Sequence, residues 1–220
     1  MNRNIKKLTI RAYDAIAKTY SKQNKGYDFW SNELEDILNL LDNLYTKKQR
    51  INFLDLGCGS AGVARVIVEK GITYTGIDLS TSMLDIARKE FPKATFLKMD
   101  VTCLKFKKQS FDIIWASAIL LHLDYFDLVK TLSEIKRVLK THGLVFISME
   151  KRKKKELKES IKLSKKEGKE IKRYFALYSK TEFSTILKAN GFRILKFVNK
   201  PELHSDKEWL CFFCSKDSNC

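Results

Sequence analysis

Leu54-Asp55-Leu56-Gly57-Cys58-Gly59 and Gly76-Ile77-Asp78-Leu79-Ser80 are the two stretches in which residue type and spacing point to chemistry. In the first, an apolar run ends in an acid, passes through a Gly turn and opens a helix-like pattern at Ala61. Glycine has no Cβ to keep a ligand from the backbone, and the N–H groups of a helix start attract anionic and polar groups. About twenty residues on, Asp78 closes a second strand, where an acid can bind a ribose diol. The pair predicts a nucleotide-like ligand at the carboxyl ends of neighbouring strands.

Positioning such residues takes alternating strands and helices. Strands are read at Ile51–Asp55, Thr73–Asp78, Thr95–Met99, Phe111–Ala116 and Gly143–Glu150, and helices at Ala61–Lys70, Thr81–Glu90 and Phe126–Lys140. Ser80 suits an N-cap, and Gly71 and Gly143 follow helix ends. The alternation predicts a mainly parallel sheet with right-handed crossovers. Ahead of it, Arg11–Lys22 and Tyr27–Tyr45 carry apolar residues at helical spacing. Behind it, Lys180–Asn190 reads as a helix stopped by Gly191, and Phe192–Asn199 and Lys207–Ser215 as an antiparallel strand pair. With no repeat and no Gly/Ser/Pro linker, residues 1–220 are read as a single domain. It comprises an N-terminal helical cap (1–48), a cofactor-binding core (49–150), a basic insertion (151–178) and a C-terminal helix and strand pair (179–220).

The net charge of +16 invites a nucleic-acid reading. Lysines outnumber arginines 33 to 9, however, and arginine is the residue favoured for bidentate phosphate and base contacts. No apolar stretch approaches the roughly 18 residues that span a bilayer. Met1–Arg11 is basic without an apolar signal core, and the five cysteines are odd in number and scattered. A cytoplasmic protein with reduced thiols and no membrane partner is expected. Cys211 and Cys214, near His204 and Cys220, are three apart on a strand and point to opposite faces, so no metal site is expected. The Lys151-Arg152-Lys153-Lys154-Lys155 run opens a basic segment with Leu157, Ile161 and Leu163 as its few apolar anchors. It reads as a helix, either merely solvated or serving as a lid over the active-site end of the sheet.

These motifs resemble those of class I S-adenosylmethionine-dependent methyltransferases. The likeness runs closely from residue 51 to 147. It rests on Leu54–Gly59, on Gly76–Ser80 with Met83, and on Met99-Asp100-Val101. Phe111–Ile114 with Leu120-Leu121-His122, and Ile135–Lys140 with Gly143 and Leu144, complete it. The resemblance implies a Rossmann-like three-layer αβα sandwich. Its seven-stranded, mostly parallel sheet would have an antiparallel C-terminal strand, N-terminal helices and a helical lid insertion. It also implies S-adenosyl-L-methionine as cofactor and S-adenosyl-L-homocysteine as product. Asp55 would face the methionine ammonium, and Gly57, Cys58 and Gly59 would run beside the methionine and ribose. Asp78 would take the ribose hydroxyls, Leu79 and Met83 the adenine faces, and Asp100 with the Val101 backbone the adenine amine. Ala116 at the fourth strand's exit and Tyr20 of the lead-in helix would complete the cofactor site. Ala61, where related proteins often have Gly, places a methyl on what reads as the first helical turn.

Methyl transfer from a sulfonium is an in-line displacement that needs alignment above all, and a base only where the acceptor must lose a proton. The exit Ala116-Ser117-Ala118-Ile119 lacks the proline-containing signature of exocyclic base-amine methylation. Neither Pro92 nor Pro201 precedes a cysteine, as cytosine-C5 chemistry requires, and the carboxylate metal site of catechol enzymes is missing. A small-molecule acceptor is therefore expected. The alternatives are a wobble-uridine-type tRNA acceptor and a non-catalytic cofactor-binding partner subunit. His122 suits either a base near neutral pH or a packing role. Tyr13 and Tyr178 are candidates for the substrate side, as is Arg173, which suits a carboxylate, a phosphate or a surface salt bridge.

Overall fold

The computed structural model describes residues 3–23, 27–42, 50–166, 169–203 and 205–217. Helices α1 (Arg3–Gln23) and α2 (Tyr27–Asp42) lead into β1 (Asn52–Leu56), α3 (Ala64–Glu69), β2 (Thr73–Asp78), α4 (Thr81–Glu90), β3 (Thr95–Lys98) and β4 (Phe111–Ser117). After a single 3-10 turn at Leu120–His122 come α5 (Tyr125–Val138), β5 (Leu139–Glu150), β6 (Glu159–Lys166), β7 (Lys169–Ala176), α6 (Lys180–Ala189), β8 (Phe192–Pro201) and β9 (Glu208–Lys216). Residues 43–45 of the expected second helix lie outside the described residues.

Seven strands form one sheet in the order β3-β2-β1-β4-β5-β9-β8. Neighbours pair in parallel, except that β9 runs antiparallel to both β5 and β8. The Rossmann-like expectation holds, with helices flanking this sheet. The central strands are apolar on both faces because both are covered. Trp115 of β4 and Phe146 of β5 are register partners, and their rings stack with centroids 4.0 Å apart. Chain order reverses between β1 and β4, and at such a switch point the loops leaving the strands diverge and open a crevice.

Two expectations are corrected. The helix after β1 begins at Ala64 instead of Ala61, because Ala61 has a left-handed φ of 63° and belongs to the turn. The alanine of that turn is therefore a backbone exception held by its surroundings, since L side chains resist this region. Its N–H donates to Cys58 O at 2.8 Å, and its own carbonyl accepts from Ala64 N at 3.0 Å.

The second correction concerns the helical lid of 151–178. That segment contains no helix among its described residues. It is a separate antiparallel hairpin of β6 and β7, with Lys162 opposite Arg173 and Ser160 opposite Phe175. Its residues alternate with period two, but with the usual polarity reversed: Ile161 (49% exposed) and Leu163 (63%) face outward while Lys162 turns inward. Lys162 is held there by Glu150 at 2.8 Å and Glu156 at 3.1 Å. On the partner strand Ile171, Arg173 and Phe175 share the inner face, since directly paired residues of an antiparallel ladder lie on the same side.

Candidate active site

A cavity of about 690 Å³ opens at the carboxyl ends of β1, β2 and β4, under α1 and the β6–β7 hairpin. Asp55, at the end of β1, is 5% exposed. Its Oδ2 accepts the Tyr74 hydroxyl at 2.6 Å. Burial pushes its carboxyl up to about 7 against that hydrogen bond, and nearby Asp78 adds to the rise. A buried acid so placed calls for a cation. Gly57 and Gly59 follow with φ of 66° and 53°. The turn is tied back to β2 by the Cys58 N–H, which donates to Ile77 O at 3.0 Å.

Asp78 ends β2 and braces the same turn. Its Oδ2 accepts Gly59 N–H at 2.9 Å and its Oδ1 accepts Ser80 N–H at 2.8 Å. Burial raises its pKa, and these backbone donors offset part of that rise. Each oxygen keeps a lone pair for a further donor. Ser80 caps α4 by accepting Met83 N–H at 3.2 Å, which sets Met83 at the cavity wall beside Leu79. Asp100, beyond β3, accepts Thr102 N–H at 3.0 Å and the Thr102 hydroxyl at 2.9 Å on one oxygen. Its other oxygen takes the Lys6 ammonium. Burial alone would raise the Asp100 pKa, but Lys6 and Thr102 outweigh it and the net shift is downward.

The far end of the cavity is aromatic. Phe29 and Trp30 of α2 meet Trp209 of β9, with the two indole centroids 5.5 Å apart at 82°. His122 is buried against Tyr13 and Phe175 with both ring nitrogens engaged. Its Nδ1–H donates to the Tyr174 carbonyl at 2.7 Å, so Nε2 is the acceptor and the Tyr13 hydroxyl donates to it at 2.8 Å. Burial lowers its pKa to about 4, with the Arg173 cation adding to that fall and the Tyr174 bond opposing it. His122 is therefore a neutral anchor that aims Tyr13, and as a base it is weak.

Of the expected site residues, Tyr20, Asp55, Gly57, Cys58, Gly59, Asp78, Leu79, Met83, Asp100, Val101, His122, Tyr13 and Arg173 all line this one cavity. Ala116 and Tyr178 do not. Ala116 alternates with Trp115 and Ser117, which take the cavity side of β4. Tyr178 lies beyond the end of β7, in an isolated bridge with Lys151, and its ring packs on Phe183 at 5.5 Å.

Lys6, Asp14, Glu150 and Trp209 escaped the sequence reading. Tyr13 and Tyr20 are two helical turns apart, and two turns back along the same face lead to Lys6. Asp14 docks α1 onto α4, accepting the Ser80 hydroxyl at 2.6 Å and Ser82 N–H at 3.1 Å. Glu150 and Trp209 meet across the β5–β9 ladder, a contact no local pattern announces.

Residues 54–147 match the model of a methyltransferase domain family. A demethylmenaquinone methyltransferase of Thermotoga maritima is 30% identical over 67% of this chain and 63% of its own length. A malonyl-[acyl-carrier protein] O-methyltransferase of Salmonella typhimurium is 29% identical over 60% of this chain and 51% of its own. The chain thus spans between half and two thirds of the length of these two relatives. In fold it is similar to the 1,6-didemethyltoxoflavin-N1-methyltransferase of Burkholderia thailandensis, solved with S-adenosylhomocysteine. The TM-score is 0.68 at 16% identity, over 95% of this chain and 88% of that one. Residues 54–147 thus carry a methyltransferase domain, on a Rossmann-like fold shared with solved S-adenosylmethionine-dependent methyltransferases.

Proposed function

We propose that this protein binds S-adenosyl-L-methionine at the carboxyl ends of β1, β2 and β4 and methylates a small molecule admitted beside it. The observation that carries the reading is the convergence of Asp55, the Gly57–Gly59 turn, Asp78 and Asp100 on one cavity whose other end is an aromatic wall. The residues fit the cofactor. Among the described residues no cation pairs with the buried Asp55, and the cofactor's ammonium would supply one. A Cβ added at Gly59 would find only Met83 Sδ, at 4.0 Å, so that side of the turn is open to a ligand.

When bound, the cofactor supplies an already activated methyl group. The chain's part is to hold and align. Asp55 would balance the ammonium, Asp78 would accept the ribose hydroxyls on its remaining lone pairs, and Leu79 and Met83 would border the base. Asp100 Oδ2 holds Lys6 on one lone pair and keeps the other for an amine donor. α1 and the hairpin exclude water from the site. In the tRNA alternative the basic run would contact the RNA backbone, yet Lys151, Arg152 and Lys153 pair with Glu208, Glu182 and Asp206 within the chain.

Asp78→Ala is expected to weaken S-adenosylhomocysteine binding by about 2 kcal/mol, the loss of charge-assisted hydrogen bonds to the ribose. Titration calorimetry checks this, and an unchanged Kd would remove Asp78 from the cofactor site.

A further inference from the structure

The acceptor end of the cavity holds a cation, Arg173, that forms no ion pair among the described residues and whose hydrogen bond goes to the neutral Tyr13 hydroxyl. Arg173 reaches into the cavity from β7, with its guanidinium carbon 5.6 Å from the Tyr13 ring centroid and 5.4 Å from that of Phe175. Its Nε is buried without a hydrogen-bond partner. The other cations of this wall are engaged: Lys6 by Asp100 and Asp127, and Lys207 by Glu150 at 3.6 Å. Glu150 is also bonded by Lys162 at 2.8 Å, so its charge is countered within the protein. A guanidinium between two aromatic rings presents a planar fork that matches a carboxylate.

The same wall is poorly equipped to remove a proton. His122 Nε2 is occupied by the Tyr13 hydroxyl and its Nδ1–H by the Tyr174 carbonyl. An acceptor that had to be deprotonated would find that imidazole committed. A carboxylate needs no base, because its oxygen lone pairs are already nucleophilic.

We infer that the methyl acceptor is a small carboxylic acid, seated as its carboxylate on Arg173 between Tyr13 and Phe175, and that the product is its methyl ester. One carboxylate oxygen forms the new O–CH3 bond as the methyl–sulfur bond breaks. The electron pair of that bond stays on sulfur, and anion plus sulfonium become neutral ester plus thioether with no proton moved. This inference rests on the methyl-transfer reading above.

The test uses the full chain with methyl-labelled S-adenosylmethionine and the small-molecule fraction of a cell extract. The label is expected in products that release it as methanol in mild alkali, as esters do. Label confined to alkali-stable products would overturn the carboxylate and leave the methyl-transfer reading standing. No label in any fraction, with S-adenosylhomocysteine still bound in calorimetry, would overturn both.

Arg173→Gln is expected to cut formation of the alkali-labile product on the order of a hundredfold, with Arg173→Lys intermediate. S-adenosylhomocysteine affinity should stay within about twofold, because only the acceptor's anion is lost. A parallel fall in S-adenosylhomocysteine affinity at unchanged melting temperature would place the cofactor's own carboxylate on Arg173 and overturn the assignment.

Discussion

Asp55→Asn is expected to make the ligand-free protein more stable and cofactor binding weaker, two effects of opposite sign from one substitution. In the folded chain Asp55 titrates at about 7, driven up chiefly by burial. In the unfolded chain it titrates at about 3.9. As pH rises through that window the unfolded chain ionises first, so stability falls from about pH 4 and the loss is complete above 7. The penalty at pH 7.5 is on the order of 3–4 kcal/mol. Asparagine keeps the Tyr74 hydrogen bond and carries no charge, so the variant should melt roughly 10 °C higher at pH 7.5 and show no advantage near pH 4.

His122 pulls the other way. Its folded value of about 4 lies below the ordinary imidazole value, so stability falls as pH drops from about 6.5 to 4, as the unfolded chain takes up the proton. The two groups oppose each other in the native protein, and Asp55→Asn should uncover the His122 limb. In calorimetry, the native protein should lose cofactor affinity severalfold between pH 7.5 and 6 as Asp55 takes up its proton. The variant should bind about thirtyfold to a hundredfold more weakly at pH 7.5 and show no such slope. A variant with native affinity would mean that Asp55 does not face the cofactor's ammonium.

The second large effect separates the two glycines of the turn. An alanine Cβ at Gly57 would meet Ile119 Cδ1 and Cγ1 at 2.7 Å and Ile119 Cβ at 2.9 Å, with φ at 66°. Strain in the left-handed region and overpacking together should cost about 3 kcal/mol of stability. At Gly59 φ is 53° and the space is open, so Gly59→Ala should cost only about 1 kcal/mol of stability. Its methyl would instead stand in the ligand's way, and cofactor affinity should fall more than about tenfold, since nothing on the ligand side can repack without losing contact. Ala61, at φ 63°, shows that this turn already accommodates one alanine in that region. Denaturant melts and calorimetry on both variants check the contrast: equal losses of stability would refute the Ile119 contact, and native affinity in Gly59→Ala would refute the ligand's path.

What was legible in the chain was what is local. Asp55, Gly57, Gly59 and Asp78 sit at strand ends whose apolar runs and turn glycines lie next to them in sequence. Thr73–Asp78 and Thr81–Glu90 came out with their observed limits. The hairpin reads as a helix in sequence because its lysines hide a period-two alternation whose inner face carries Lys162 and Arg173. Lys162 can turn inward only because Glu150 and Glu156 wait there, and Glu150 comes from a different strand. Lys6 on Asp100 and Trp209 on Trp30 are likewise pairings between distant segments. Ala61 looked like the start of a helix because residue type alone does not report a left-handed φ. Ala116 is near the site in sequence but on the other face of β4, and Tyr178 lies beyond β7, packed on Phe183.

The most direct test of the central claim follows the methyl group. Purified protein is incubated with methyl-labelled S-adenosylmethionine and a cell extract separated into small-molecule, RNA and protein fractions. The account predicts label in the small-molecule fraction, abolished by excess S-adenosylhomocysteine. Label in RNA alone, or none in any fraction from protein that binds the cofactor, would contradict it.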